Sequence, residues 1–197
     1  MKLFHSPGAC SQAPLIIIKE LGLKCEIITN GFENDKAELL KFNPRGQIPT
    51  LILDNGEVLT EGAVIMQYLA DQKPEAGLLP KFGSWERYRA LESLNFVATE
   101  LHKGLGVLFN KTLTEESKAP LKALAQKKLE FLNTQLASRQ FLAANQYTIA
   151  DAYCFTVVGW TKWLGIDMTP YPNVLGYCER IGQRPAVIEA TKAPTPV

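Results

Sequence analysis

The chain has 197 residues, with 21 basic and 20 acidic side chains and a formal net charge of +1. This balance excludes a strongly basic nucleic-acid-binding surface and a polybasic membrane contact, so we expect a small molecule as the partner. The N-terminus lacks the apolar core of a signal peptide, and no apolar run is long enough to span a bilayer, which predicts a cytoplasmic protein without membrane contacts.

The cysteines and histidines do not follow the spacing of a metal site. Only two histidines are present, and the four cysteines are far apart in the sequence, at Cys10, Cys25, Cys154 and Cys178. We therefore expect no bound metal and no disulfide framework.

The first candidate functional feature is the turn 6–14, which links a predicted strand, Lys2–His5, to a predicted helix, Gln12–Leu21. Cys10 lies where this helix begins, and the unpaired N–H groups of a first helical turn stabilise a thiolate. Ala13 occupies the place of the second cysteine of a CxxC pair, so Cys10 is a monothiol. The alternative is that Cys10 is a small buried apolar residue.

The pattern of residues 1–79 predicts a βαβ unit followed by a helix, a β-hairpin and a further helix. This order is typical of a thioredoxin-like domain. The elements expected after the first helix are a strand at Cys25–Thr29, a loop at 30–34, a helix at Asp35–Phe42, strands at Ile48–Leu53 and from Val58, and a helix that opens at 60–62.

Two features of this domain are candidate ligand contacts. A trans bond is the default before Pro49, whereas a cis bond would turn the backbone N–H and C=O of Ile48 towards an extended peptide. The N–H groups that begin the helix at Glu61 and Gly62 form a site for a carboxylate, unless this segment is an ordinary helix cap.

A stretch rich in proline and glycine over 72–84 marks a domain boundary, with a linker at 80–84. The remainder, 85–197, shows only helical periodicity and predicts an all-helical domain. The expected helices are Trp85–Phe109, Glu115–Ala137, a helix from Thr148 to about Leu164, Pro172–Gly182 and a short one after Pro185, before a loose tail at 193–197.

One face of the first of these helices carries polar residues. Asn95, His102 and Phe109 are spaced by seven and would form one line, with Glu100 and Lys103 beside it. Such residues also occur by chance on surface helices. If this line faces the thiol-bearing turn, His102 is a donor or a base to a sulfur there.

The chain as a whole resembles the cytosolic glutathione transferases, and most closely the bacterial beta class, which uses cysteine in place of tyrosine or serine. The segments that carry the resemblance are 6–11, 43–49, 59–62, 94–96, 100–104, 148–153 and 184–185.

The resemblance implies how glutathione is bound. Pro49 would be cis, Ile48 would pair with the cysteinyl backbone of glutathione, and Glu61 with Gly62 would hold its γ-glutamyl end. The implied glutathione-binding residues are Ala9, Cys10, Lys36, Gln47, Ile48, Pro49, Glu61, Gly62, Asn95, Glu100, His102 and Lys103; Cys10, Ser11 and His102 are the implied catalytic residues.

The expected activity is the conjugation of reduced glutathione, a co-substrate, to a hydrophobic electrophile held by Phe109 and Trp160, with no tightly bound cofactor. Glutathione-dependent thiol transfer through Cys10 is a second expected activity. A homodimer is implied, in which Glu100 reaches the partner subunit's glutathione. The alternative is a non-catalytic relative that keeps the fold and acts as a stress or interaction protein.

Three features add detail to the resemblance. The Thr148 and Asp151 pair matches the family's folding motif, so Asp151 is given a structural role. Gly62 offers only a backbone N–H where many members carry serine. His5 lies where other classes keep a catalytic tyrosine nearby, so no tyrosine-driven mechanism is implied.

Overall fold

A computed structural model of the chain describes residues 1–29, 36–143 and 146–192. The predicted loop at 30–34 and the tail at 193–197 lie outside these residues. Two compact units are present: 1–79 together with the segment from Gln183, and 80–182. Across the described ranges, none of the helices has the length and apolar character needed to cross a membrane.

The first unit contains a mixed four-stranded sheet. Its strands are β1 (Lys2–His5), β2 (Glu26–Thr29), β3 (Thr50–Ile52) and β4 (Val58–Thr60). The strand order is β2-β1-β3-β4, with β1 parallel to β2 and antiparallel to β3, and β3 antiparallel to β4. The predicted parallel crossover and hairpin are therefore confirmed.

The helices of this unit are α1 (Gln12–Leu21), α2 (Lys36–Phe42) and α3 (Gly62–Asp71), with a short 3₁₀ turn at Pro74–Ala76. Gly22 ends α1 in the left-handed conformation, as glycine commonly does at a helix C-terminus. Phe4, Leu39 and Ile52 form a buried cluster in which α2 packs on the sheet. This arrangement confirms the predicted thioredoxin-like fold.

The second unit is helical. It contains α4 (Trp85–Phe96), α5 (Lys103–Gly106), α6 (Glu115–Leu136), α7 (Ile149–Val158) and α8 (Pro172–Gly182), with 3₁₀ turns at Val107–Phe109 and Gly159–Lys162. The all-helical character predicted for this region is confirmed.

The segment Trp85–Phe109, which the sequence predicted as one long α-helix, is not a continuous α-helix in the structure. A π-helical segment, Val97–His102, lies between α4 and α5. A π turn contains more residues than an α turn, so the seven-residue spacing that predicted a single line does not hold across this segment. Asn95 lies before the π-helical segment, and His102 is its last residue.

The C-terminal helix, α9 (Pro185–Thr191), corrects the domain boundary expected from the sequence. We expected it within the helical domain, but it packs against α1 in the first unit. Gln12 donates to the carbonyl of Ala190 at 2.7 Å, and Lys19 pairs with Glu189 at 2.7 Å. Because α1 is apolar on most sides, α9 covers a face that would otherwise meet water.

Asp151 is fully buried at the start of α7 and has the structural role expected of it. Its carboxylate accepts hydrogen bonds from the N–H of Leu142 at 2.9 Å, from the N–H and hydroxyl of Thr148 at 2.8 and 3.0 Å, and from the Tyr177 hydroxyl at 3.0 Å. The carboxylate thus joins α7, α8 and the preceding loop.

Candidate functional site

Cys10 lies immediately before Ser11, the N-cap of α1, so its thiol is held at the N-terminus of the helix. The carbonyl of Cys10 accepts the N–H of Ala13 at 3.2 Å, and that of Ala9 accepts the N–H of Gln12 at 3.0 Å. The thiol is partly buried and donates to the carbonyl of Ile48 at 3.4 Å. The structure therefore brings together the two features that the sequence placed 38 residues apart.

Ser11 is fully buried and fixes the turn that carries Cys10. Its hydroxyl accepts the N–H of Ser6 at 3.0 Å, lies 3.0 Å from Nδ1 of His5 and is directed at the carbonyl of Ser6 at 3.3 Å. A hydroxyl has one proton, so when it donates to this carbonyl, Nδ1 of His5 is the donor. These bonds tie the end of β1 to the turn.

Burial makes His5 a weak base. It has no exposed surface, and Nε2 of its ring has no hydrogen-bond partner among the described residues. Desolvation lowers the pKa of this imidazole from 6.5 to about 4, although its bond to Ser11 acts in the opposite direction. His5 is therefore neutral at physiological pH.

The loop before β3 presents the backbone of Ile48. The Ile48–Pro49 peptide bond is cis, as the resemblance implied. The buried side chain of Asn43 organises this loop: its amide donates to the carbonyl of Gln47 at 2.9 Å and to the Thr50 hydroxyl at 3.0 Å. The Gln47 side chain itself is exposed.

Glu61 is the N-cap of α3 and is the one non-glycine residue with a positive φ, 67°, in the described part of the chain. Its carbonyl accepts the N–H groups of Val64 and Ile65, both at 2.9 Å, and its side chain pairs with Arg45 at 3.2 Å. Backbone strain of this kind concentrates at ligand sites. Gly62 follows, and a β-carbon there would lie 3.4 Å from Pro49.

In the second unit, His102 is part of an aromatic cluster with Tyr153, Trp160 and Phe109. Nδ1 of His102 bonds to the Tyr153 hydroxyl at 2.5 Å. The His102 ring lies edge-on to Trp160, with centroids 4.9 Å apart, and Trp160 lies edge-on to Phe109 at 5.8 Å. The structure thus groups both predicted hydrophobic-site residues with His102.

The remaining predicted residues are more peripheral. Asn95 is exposed on α4 and Lys103 is exposed at the start of α5, whereas Lys36 is exposed at the start of α2 and Ala9 is buried beside Cys10. Glu100 forms an ion pair with Lys128 of α6 at 2.5 Å. Within 1–29, 36–143 and 146–192, no three histidine, cysteine or acidic side chains are grouped as metal ligands.

Sequence reasoning did not assign a role to Arg45, Asn43 or Tyr153. Each lies within a segment that carried the family resemblance, but none has a spacing that indicates its contact. Arg45 meets Glu61 and Tyr153 meets His102 only through tertiary folding. The signal in the sequence that points to these contacts is the presence of complementary charges, donors and acceptors in those segments.

Models of protein families match both parts of the chain. Residues 8–72 match the glutathione S-transferase N-terminal domain, and residues 96–185 match the glutathione S-transferase C-terminal domain. The matches include the Cys10 turn, Ile48 and Glu61 in the first range, and the aromatic cluster in the second.

Full-length relatives agree with these matches. Glutathione S-transferase GstA of Escherichia coli O157:H7 is 39% identical over 197 residues, which is 98% of each chain. A bacterial beta-class glutathione S-transferase of Sphingomonas chungbukensis matches in structure with a TM-score of 0.92, 41% identity and 98% of each chain covered. A sphingomonad glutathione S-transferase complexed with glutathione gives the same TM-score and coverage at 42% identity.

Proposed function

Because the chain belongs to the glutathione S-transferase family, we propose that it binds reduced glutathione in its first unit and joins the glutathione sulfur to a hydrophobic electrophile. The observation that carries this proposal is the contact between the Cys10 thiol and the Ile48 carbonyl, with Glu61 beginning α3 in the same unit. A tripeptide needs a backbone partner, a site for its charged end and a group at its sulfur, and these residues are suited to all three.

The bound tripeptide would use each of these groups in turn. The cysteinyl peptide of glutathione pairs with the backbone of Ile48, the Glu61 carboxylate meets the α-ammonium, and the N–H of Gly62 meets the α-carboxylate. The peptide N–H of glutathione then takes the Ile48 carbonyl that the Cys10 thiol occupies in the free protein. The thiol is released to donate its hydrogen to the glutathione sulfur.

Conjugation follows as a nucleophilic displacement. The glutathione thiol gives its proton to solvent water, and the resulting thiolate sulfur attacks an electron-poor carbon of the electrophile. A new S–C bond forms, and the leaving group departs with its bonding pair. The Cys10 hydrogen bond stabilises the thiolate that attacks.

The electrophile would be an aromatic or otherwise apolar molecule that packs against the cluster of Phe109, Trp160, His102 and Tyr153. These rings offer apolar surface with two polar groups, the imidazole and the phenol. Apolar contacts discriminate weakly between substrates, so we expect broad specificity. The roles expected for Lys36, Gln47, Asn95, Glu100 and Lys103 towards glutathione stay predictions for single substitutions to test.

Steady-state conjugation of a chloronitrobenzene tests the proposal. We expect a rate that saturates with glutathione and releases chloride in equal amount to the product. Absence of a glutathione-dependent rate contradicts it. Calorimetry with glutathione separates the non-catalytic alternative, since a protein that keeps only the fold would bind glutathione weakly or not at all.

Thiol transfer is a second candidate activity, which the accessibility of Cys10 favours. A Cys10 thiolate attacks one sulfur of glutathione disulfide, forms a mixed disulfide and releases glutathione as the thiolate. Cys154 is an unsuitable carrier because burial raises the pKa of its thiol well above the usual range. Intact-mass measurement should show one glutathionyl adduct that Cys10→Ala removes and Cys25→Ala retains.

The homodimer is also a proposal. Phe82 is 86% exposed, and the nearby Trp85 and Tyr88 on α4 are also largely exposed, which leaves aromatic surface of the second unit uncovered. Light scattering after gel filtration should give twice the chain mass for the protein and a lower mass for Trp85→Glu. The cytoplasmic location expected from the sequence stays a prediction.

A further inference from the structure

We propose that Arg45 is a specificity-determining residue that recognises the α-carboxylate of the γ-glutamyl group. This inference rests on the proposed function, in which Glu61 and Gly62 receive that end of glutathione. It adds a second charged side chain to this end of the site, so that the ammonium and the carboxylate of the γ-glutamyl group each meet a side chain of opposite charge.

The geometry places Arg45 directly beside Glu61. Nη2 of Arg45 donates to the Thr60 hydroxyl at 3.1 Å and to the Glu61 carboxylate at 3.2 Å. A guanidinium has five N–H donors in a planar fork. Since these two contacts use only Nη2, the same group is able to hold a further carboxylate while it keeps them.

Hydrogen bonds to the loop around Arg45 fix the backbone from which its side chain extends. The N–H of Arg45 donates to the Asn43 side chain at 3.1 Å, and the N–H of Gly46 donates to the Asn43 carbonyl at 2.8 Å. Asn43 also bonds to Gln47 and Thr50, next to the cis Pro49. The buried Asn43 side chain therefore positions both the Ile48 backbone and the backbone of Arg45.

The charges match the ligand. The γ-glutamyl end carries an ammonium and a carboxylate on the same carbon atom, so a site with Glu61 alone would attract the first and repel the second. Arg45 removes this repulsion and supplies a partner of the right sign. The pair with Glu61 is accessible to the ligand, since its side chains are 55% and 65% exposed.

The inference makes a prediction about ligand analogues. Calorimetry would compare glutathione with 4-aminobutyryl-cysteinylglycine, which has the ammonium but lacks the α-carboxylate. We expect Arg45→Gln to raise the Kd for glutathione about tenfold, the loss of one charge-assisted contact. The Kd for the aminobutyryl analogue should change by less than about twofold, because that ligand has no group for Arg45 to bind.

Two further variants control this test. Arg180→Gln removes another exposed arginine, which donates to the carbonyl of Gln140 at 3.0 Å and to that of Gly176 at 3.4 Å, and should leave both Kd values unchanged. Arg45→Lys retains the charge but lacks the fork, so it should raise the Kd for glutathione less than Arg45→Gln does. If Arg45→Gln does not fold, Arg45→Lys replaces it in the comparison between glutathione and the aminobutyryl analogue.

The outcomes separate this inference from the proposed function. If the unsubstituted chain does not bind glutathione, the proposed function is wrong and the assignment to Arg45 fails with it. If the unsubstituted chain binds glutathione but Arg45→Gln binds it equally well, only the assignment is overturned. Equal weakening of glutathione and the aminobutyryl analogue also overturns it, since Arg45 would then act on the loop and not on the carboxylate.

Discussion

The thiol of Cys10 directs its hydrogen at the backbone carbonyl of Ile48. A serine at this position would keep a donor of similar direction but could not form a disulfide. An alanine would keep neither property. The two substitutions therefore distinguish a hydrogen-bond donor from a sulfur carrier.

We predict that Cys10→Ser retains most of the conjugation activity but forms no glutathionyl adduct, whereas Cys10→Ala conjugates more slowly and also forms no adduct. The kcat/KM of Cys10→Ala should fall about tenfold, the effect of one hydrogen bond to a charged sulfur. Steady-state kinetics and intact-mass measurement on the same samples check this. Equal kinetic impairment of the two variants would mean that Cys10 does not act as a donor.

His5 gives a pH dependence to folding stability. Its pKa is lowered to about 4 in the folded chain, against 6.5 for the ordinary side chain. Between these values the unfolded chain binds more protons than the folded chain, so stability rises with pH through this window. The contribution of His5 to the free energy of unfolding is fully present above pH 6.5 and is lost as the pH falls towards 4.

We predict that His5→Asn, which keeps a polar group near Nδ1 but does not titrate, reduces this pH dependence. The difference in unfolding free energy between pH 7.5 and pH 4 should be smaller in the variant by up to about 3 kcal/mol. Urea unfolding at both pH values measures it. An identical pH dependence in the two proteins would show that His5 is not buried as a neutral imidazole.

Among the elements, α3 begins with Gly62, which offers a ligand only its backbone N–H. A β-carbon at Gly62 would meet Pro49 at 3.4 Å, which is an ordinary van der Waals contact, and no positive φ is required there. A side chain is therefore sterically acceptable at this position. A serine hydroxyl would be an additional donor to the glutathione α-carboxylate.

We predict that Gly62→Ser lowers the Kd for glutathione about fivefold relative to Gly62→Ala, the effect of one hydrogen bond. The alanine variant controls for the added β-carbon and for the reduced flexibility of the unfolded chain. Calorimetry on both variants makes the comparison. Equal affinities would indicate that the γ-glutamyl carboxylate does not lie at the start of α3.

At the start of α7, four donors converge on the carboxylate of Asp151. We predict that Asp151→Ala destabilises the fold by about 3 kcal/mol or more, because these buried donors lose their acceptor. Asp167 is a matched control, since it accepts the N–H and hydroxyl of Thr169 at 2.9 and 2.8 Å at an exposed site.

Denaturant unfolding followed by circular dichroism measures both Asp151→Ala and Asp167→Ala. Asp167→Ala should lower the free energy of unfolding far less than Asp151→Ala does, because substitutions at exposed sites generally have small effects on stability. A cost at Asp151 as small as that at Asp167 would show that the buried network does not stabilise the helical unit.

For the molecule as a whole, local sequence patterns were sufficient to predict the order of strands and helices. Gly22 ends α1, the Asp54–Glu57 turn forms the hairpin, and the pair of Thr148 and Asp151 begins α7, because each of these signals acts within a few residues. The helical unit followed from the absence of strand patterns after residue 84.

Features that depend on distant parts of the chain were not predictable in the same way. The apolar faces of α1 required a cover, but nothing local identified α9 as that cover. The π segment at Val97–His102 has no distinctive composition, so an unbroken α-helix was expected. The pairs of Arg45 with Glu61 and of His102 with Tyr153 depend on tertiary structure, which periodicity does not encode.

The most direct test of the account is a crystal structure of the chain with reduced glutathione. We predict that the cysteinyl N–H of glutathione bonds to the Ile48 carbonyl and that its sulfur lies within hydrogen-bond distance of the Cys10 thiol. The γ-glutamyl end should lie at the start of α3, between Glu61 and Arg45. Glutathione bound with its sulfur away from Cys10, or with another group on the Ile48 carbonyl, would contradict the account.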